Sequence, residues 1–211
     1  MSGSRELILE RVRGALADGP LAPESPRDYR RAGTLSSAAR TDLFCERAGD
    51  YRAEVRRVRA GELPVAIAEV FAARGAQRVC VPTDIASEWR VDGVKFVADE
   101  ELSWEELDRI DGVLTGCTVA IAETGTIVLS AGAGEGRRAI TLIPDLHVCV
   151  IEARQIVETV PEAMTLLADL GAQRRPLTFI SGPSATSDIE LNRVEGVHGP
   201  RNLVVLIQES A

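Results

Sequence analysis

The sequence predicts an α/β fold, a mostly parallel sheet with helices on both faces. Three observations carry this. Short apolar runs alternate with segments of helical periodicity along most of the chain. Between Ala53 and Val81 the order is strand, helix, strand, which implies a parallel pair joined by a crossover helix. Of 211 residues 45% are hydrophobic and only 4% aromatic, so the core must come mainly from Val, Ile, Leu and Ala. This length suits one sizeable domain with a small extension. The expected division is residues 1–40, an N-terminal helix and extended connector, and residues 41–211, a single α/β domain.

Each element has its own local reason. Leu7, Ile8, Val12, Ala15 and Leu16 recur at helical spacing behind Ser4, predicting a helix from Arg5 to about Ala17. Gly19-Pro20 ends it, and Pro20, Pro23 and Pro26 make Gly19 to Arg40 an extended polar connector. Arg27, Arg30 and Arg31 cluster there, either solvated or forming a flap that lends arginine to a pocket or partner. Thr41 to Ala48 reads as a short helix. Ala53 to Val58 alternates and reads as a strand. Leu63, Ile67, Val70 and Phe71 mark a helix that Gly75 stops, and Arg78 to Val81 is a short strand of the buried type. Ile85 to Trp89 fits one helical turn and Val94 to Val97 a strand. Ser103 with Glu106 forms a capping box for the next helix.

The second half changes character. Cys117–Ile121 and Thr126–Ser130 are strand-like runs split by Ala122-Glu123-Thr124-Gly125. Ala131 to Arg138 is a loop with three glycines and two arginines. Pro144-Asp145-Leu146-His147 leads into a strand over Val148–Ile151. Pro161 opens a helix that ends at Gly171. Leu177–Ile180 and Leu203–Ile207 are two further apolar runs. Between them, Thr186, Ser187 and Asp188 resemble helix caps.

Composition narrows the function. With 24 Lys and Arg against 32 Asp and Glu, the net charge is −8, which argues against nonspecific nucleic-acid binding. The four cysteines, Cys45, Cys80, Cys117 and Cys149, stand far apart, with no CxxC pair. An iron–sulfur or zinc-finger signature is absent from this chain. The start of the chain has no long apolar segment of the signal-peptide kind, and no apolar run approaches the ~20 residues of a membrane span. A cytoplasmic protein with reduced thiols is expected.

Four constellations carry candidate chemistry. Glu123 sits in a sharp break between two apolar strands, where α/β folds place reacting groups. It reads as a nucleophile, a base or a ligand acceptor, or else as a carboxylate that pairs with an arginine and closes a turn. Gly132, Gly134 and Gly136 offer N–H groups to an anion, with Arg137 or Arg138 adding charge, or else form a mobile hairpin loop. Asp145 and His147 alternate along a strand, which suits acid–base work or a metal, or else a hydrogen-bonded core histidine. Ile180 to Arg201 holds two glycine-bearing turns with Gly182, Ser184, His198 and Arg201. Backbone N–H groups backed by a cation suit an anionic or polar ligand.

Read in order, these residues resemble a known family. Ala122-Glu-Thr-Gly-Thr126, Gly136-Arg137, Pro144-Asp-Leu-His147, Ser181-Gly-Pro-Ser184, Thr186-Ser-Asp-Ile-Glu190 and Gly196-Val-His-Gly-Pro-Arg201 are similar to the lactate utilization protein C family, the LUD domain. The likeness spans about Thr115 to Ile207. It implies a NagB/RpiA/CoA transferase-like fold, as in ribose-5-phosphate isomerase and glucosamine-6-phosphate deaminase. It also implies an accessory or regulatory role in oxidising L-lactate to pyruvate, beside partner subunits that carry iron–sulfur clusters. The candidate sites are then Glu123 as the catalytic carboxylate, and Thr124, Gly125, Gly136, Arg137, His147, Gly182, Ser184, His198 and Arg201 around a small carboxylate or phosphate-bearing ligand. No cofactor and no metal is expected in this chain itself. The alternative is a stand-alone enzyme on that fold, of the acyl-CoA transferase or folate cyclo-ligase type.

Overall fold

The computed structural model describes residues 3–17, 19, 25–26, 28–59, 61–172, 175–183, 185–186, 194–195 and 199–209. The chain divides into two units, residues 1–30 and 31–211. The first unit holds helix α1 (Gly3–Leu16), none of whose residues is buried.

In the second unit, α2 (Ser37–Asp50) starts four residues before the expected Thr41, because the Ser36 hydroxyl accepts the Ala39 N–H and caps it. Strand β1 (Glu54–Val58) follows, then α3 (Leu63–Arg74), which ends at Gly75 with φ 65°. Strand β2 (Arg78–Val81), a 3-10 turn at Ser87–Trp89 and β3 (Lys95–Ala98) lead to α4 (Trp104–Leu107), which carries the expected Ser103–Glu106 capping box. The sequence reading did not pick out β4 (Gly112–Thr115). Next come β5 (Val119–Ile121), β6 (Thr126–Leu129), a 3-10 turn at Arg138–Thr141 and β7 (Leu146–Glu152). A 3-10 turn at Ala153–Gln155, β8 (Ile156–Val157), α5 (Val160–Ala172) and β9 (Thr178–Ile180) follow. The last strands are β10 (Ala185–Thr186), β11 (Val194–Glu195) and β12 (Asn202–Gln208). Thr186, read as a possible helix cap, pairs with Val194 in the short β10–β11 ladder, whereas Ser187 and Asp188 lie outside the described residues.

The main sheet has six strands in the order β1-β12-β7-β4-β2-β3, and every neighbouring pair is parallel. Its central strands are apolar at nearly every position because both faces are covered. Alternate residues divide between them. Val148, Val150, Val204 and Leu206 pack under Leu63, Ile67, Val70 and Phe71 of α3. Cys149, Ile151, Val205 and Ile207 pack on Phe44 and Ala48 of α2 and on Ala120, Ile127 and Leu129. Leu107, the buried residue of α4, joins Cys80 and Val113 on that same second face.

Helices therefore lie on both faces, as expected, but the second face also carries a sheet. Strands β5 and β6, expected within one largely parallel sheet, instead form an antiparallel hairpin at the centre of a four-stranded sheet, β8-β5-β6-β9. A four-residue turn, Ala122 to Gly125, is too short for a crossover and dictates this pairing. Ala163 and Leu167 of α5 cover the outer side of this sheet at Val119, Ile121 and Val128.

Candidate functional site

Chain direction creates a crevice. The connection leaving β2 runs outward to β3, while β4 leads the opposite way to β7. Loops that diverge at the carboxyl ends of adjacent parallel strands leave an opening between them, and α/β folds place ligands there. At this place the structure has a cavity of about 240 Å³. Asp84, Ile85 and Trp89 line it from the segment after β2, Gly116 and Cys117 from the end of β4, and Gly134 from the glycine-bearing loop. Val150, Glu152 and Gln155 complete the wall along β7.

Hydrogen bonds clip the three loops together. Gly116 N–H donates to the Gly134 carbonyl at 2.7 Å. Gly134 N–H in turn donates to Asp84 Oδ1 at 2.9 Å. Gln155 Nε2 donates to the Cys117 carbonyl at 2.6 Å, and its Oε1 accepts the Glu152 N–H at 2.8 Å. Gly116 faces Trp89: a Cβ there would stand in ordinary contact, 3.7 Å from the ring. The Cys117 thiol faces Gln155 Oε1 at 3.8 Å, and the neighbouring Cys149 thiol together with burial raises its pKa well above the ordinary thiol value. Cys117 is therefore a wall of the cavity in its protonated form rather than a thiolate nucleophile.

The sequence-predicted residues fall into groups with different partners. Thr124 and Gly125 lie in the β5–β6 turn. The Thr124 and Thr126 hydroxyls are 2.7 Å apart, and Thr126 meets Ser181 at 2.8 Å, which brings Gly182 to the same place. Both glycines have positive φ, 59° and 82°, and both back onto the end of α2: a Cβ would come within 2.5 Å of Ala48 N or Tyr51 O. Glu123 is exposed in that turn, and its N–H donates to the Glu158 carbonyl at 3.0 Å.

Gly136 and Arg137 form a second group. The Arg137 guanidinium holds both Asp99 oxygens, at 2.7 and 2.8 Å, and the Leu102 carbonyl at 2.5 Å. The hydrogen bond to Asp99 raises the Arg137 pKa further above its ordinary value. The two residues line a small space of about 10 Å³, room for roughly one water.

His147 and Arg201 lie at the amino ends of β7 and β12, the edge opposite the crevice. Asp145 and His147 share no hydrogen bond, and His147 is the hydrogen-bonded core histidine of the alternative reading. Strand β7 begins only at Leu146, leaving Asp145 exposed and paired with Arg201 through both carboxylate oxygens. His147 is fully buried, with Nε2 2.8 Å from the Thr115 hydroxyl, and burial lowers its pKa to about 4. Ser184 and His198, and Arg27 of the connector, lie outside the described residues. Among the described residues, no group of three or more His, Cys, Asp and Glu side chains is arranged to hold a metal ion, and no helix is long and apolar enough to cross a membrane.

Sequence reading missed Asp84, Trp89, Gly116 and Cys117 as site residues because it did not see β4. The available signal was Gly112-Val-Leu-Thr-Gly116, an apolar run between glycines.

Comparison with known proteins adds an independent line. The LUD domain family model matches residues 42–208. The chain is 51% identical over 186 residues to the lactate utilization protein C of Deinococcus radiodurans, covering 88% of this chain and 87% of that one. It is 36% identical over 110 residues to the protein of the same name from Halalkalibacterium halodurans, covering 50% and 47%. A crystal structure of a DUF162 family protein from Deinococcus radiodurans aligns with TM-score 0.73 at 44% identity, over 83% of this chain and 99% of that one.

Proposed function

The chain belongs to the LUD domain family, and from that premise we propose that it serves lactate utilization as a subunit with no redox cofactor of its own. Its partners carry the iron–sulfur clusters that take electrons as L-lactate becomes pyruvate. This chain contributes a ligand site, the crevice at the carboxyl ends of β2 and β4. The observation that supports the role best is the relationship, over most of the chain, to a protein named for lactate utilization. A small carboxylate or phosphate remains one candidate ligand, but in the crevice it meets Asp84 and Glu152. Of the cations expected to receive an anion, Arg137 is held by Asp99 and Arg201 by Asp145.

Deleting the coding sequence from its host tests the role. The strain is expected to fail on L-lactate as sole carbon source, to grow normally on pyruvate, and to recover with the wild-type chain. Normal growth of the deletion strain on lactate overturns the role. Sustained lactate oxidation by the purified chain alone overturns the subunit reading.

A further inference from the structure

The charged side chains of the crevice are of one sign. Two of its backbone donors are committed within the protein: Gly116 N–H to Gly134, and Gly134 N–H to Asp84. One N–H of the Gln155 amide is committed to the Cys117 carbonyl. Among the described residues, no lysine, arginine or histidine lines the cavity. Asp84 Oδ2 brings acceptor capacity, as do the remaining lone pairs of Glu152, which also takes the Gln155 N–H. The rest of the wall is apolar, from Ile85, Trp89 and Val150. Such a site selects a ligand that donates hydrogen bonds and also carries a flat or apolar body.

Chemistry separates the possible classes. A free carboxylate or phosphate brings negative charge toward Asp84 and Glu152, with no lysine, arginine or histidine among the described lining residues to neutralise it, so it is disfavoured. An ammonium ion favours a pair of unneutralised carboxylates, but Glu152 is ion-paired with Arg154 and Asp84 already holds the Gly134 N–H. Hydroxyl groups need only the remaining lone pairs, and an aromatic ring finds the Trp89 indole.

We propose that the crevice binds a ribonucleoside moiety, with its sugar hydroxyls on Asp84 and Glu152 and its base against Trp89. The proposal rests on the crevice being the ligand site of the proposed function. An acidic side chain after a sheet strand is also the means by which dinucleotide-binding α/β folds hold ribose hydroxyls. Here Asp84 occupies that kind of position, three residues beyond the end of β2 at Val81.

The chain has two tryptophans, and Trp104 is 68% exposed. In a Trp104→Phe background, Trp89 fluorescence therefore reports on the crevice alone. Titration with adenosine, guanosine, cytidine and uridine is expected to give a saturable change, absent with 2′,3′-dideoxyadenosine. By calorimetry, Asp84→Asn and Trp89→Leu are each expected to weaken binding about tenfold or more. Asp84→Asn retains an Oδ1 acceptor for Gly134, so its thermal midpoint should match the wild type. The proposal is overturned if no ribonucleoside binds at about 10 mM, or if both variants bind as tightly as the wild type. L-Lactate and pyruvate are titrated in parallel. Saturation by either, with loss in the two variants, removes the nucleoside class and leaves the crevice as the ligand site. No binding of anything, together with normal growth on lactate of a strain carrying Trp89→Leu, removes both.

Discussion

The carboxylate of Glu135 accepts the backbone N–H of Ser130 at 2.6 Å, inside the loop whose glycines read as facing an external anion or as a mobile hairpin. The same carboxylate takes the Gly132 N–H at 3.0 Å and the Thr118 hydroxyl at 2.5 Å, and the residue is 3% exposed. The loop does bind an anion through N–H groups, and that anion is its own side chain. Gly134 N–H repeats the arrangement with Asp84. These two internal carboxylates shape the loop beside the crevice.

Replacing Glu135 by Gln tests this. An amide of the same size keeps one acceptor oxygen for the Ser130 and Gly132 N–H groups, and its NH2 meets the Thr118 hydroxyl, which turns to accept it. Exchanging charge-assisted bonds for neutral ones costs about 1 kcal/mol. Urea denaturation of Glu135→Gln is expected to show a loss of that order. A midpoint unchanged from wild type means that the carboxylate does not hold the loop.

Arg137 and Arg201, both expected at the ligand, differ in what they leave behind. Removing Arg137 strands the Asp99 carboxylate, whose side chain is only 5% exposed. With Arg137 itself 40% exposed, solvent discounts the loss to about 1–2 kcal/mol. Asp145 and Arg201 are both exposed, 55% and 59%, so water replaces their pairing. Thermal unfolding of the two alanine variants is expected to rank Arg137→Ala clearly below Arg201→Ala, and the reverse order contradicts this account.

The layers of the fold were legible from local pattern, and the site was not. The apolar run Leu203–Ile207 and the helix through Leu63, Ile67, Val70 and Phe71 announce a two-sided core, because periodicity records burial directly. The β5–β6 hairpin was visible as two runs and a glycine turn, but its assignment to a second sheet depends on partners β8 and β9, distant in sequence. Glu123 and Arg137 stood out as charges beside glycines, a local signal. Asp84 and Gly116 meet only through Gly134, and each comes from a different loop. A crevice at a switch point follows from strand order, which no single segment encodes.

His147 gives stability a defined dependence on acid. Its ring is fully buried, Nε2 faces Thr115, and Nδ1 has no partner among the described residues. Burial lowers its pKa from 6.5 to about 4, so the folded protein keeps the ring neutral over that interval while the unfolded chain binds a proton. Above about pH 6.5 both states are neutral and the residue contributes no slope. As pH falls from 6.5 toward 4, proton uptake by the unfolded chain draws the equilibrium toward unfolding, by about 3 kcal/mol in all. His147→Gln removes this titration while retaining a group able to bond Thr115. Unfolding free energies measured from pH 7.5 to 4 are therefore expected to fall more steeply for the wild type than for the variant, with parallel curves above pH 7. Parallel curves throughout the range mean that the ring is reached by solvent and takes its proton in the folded state.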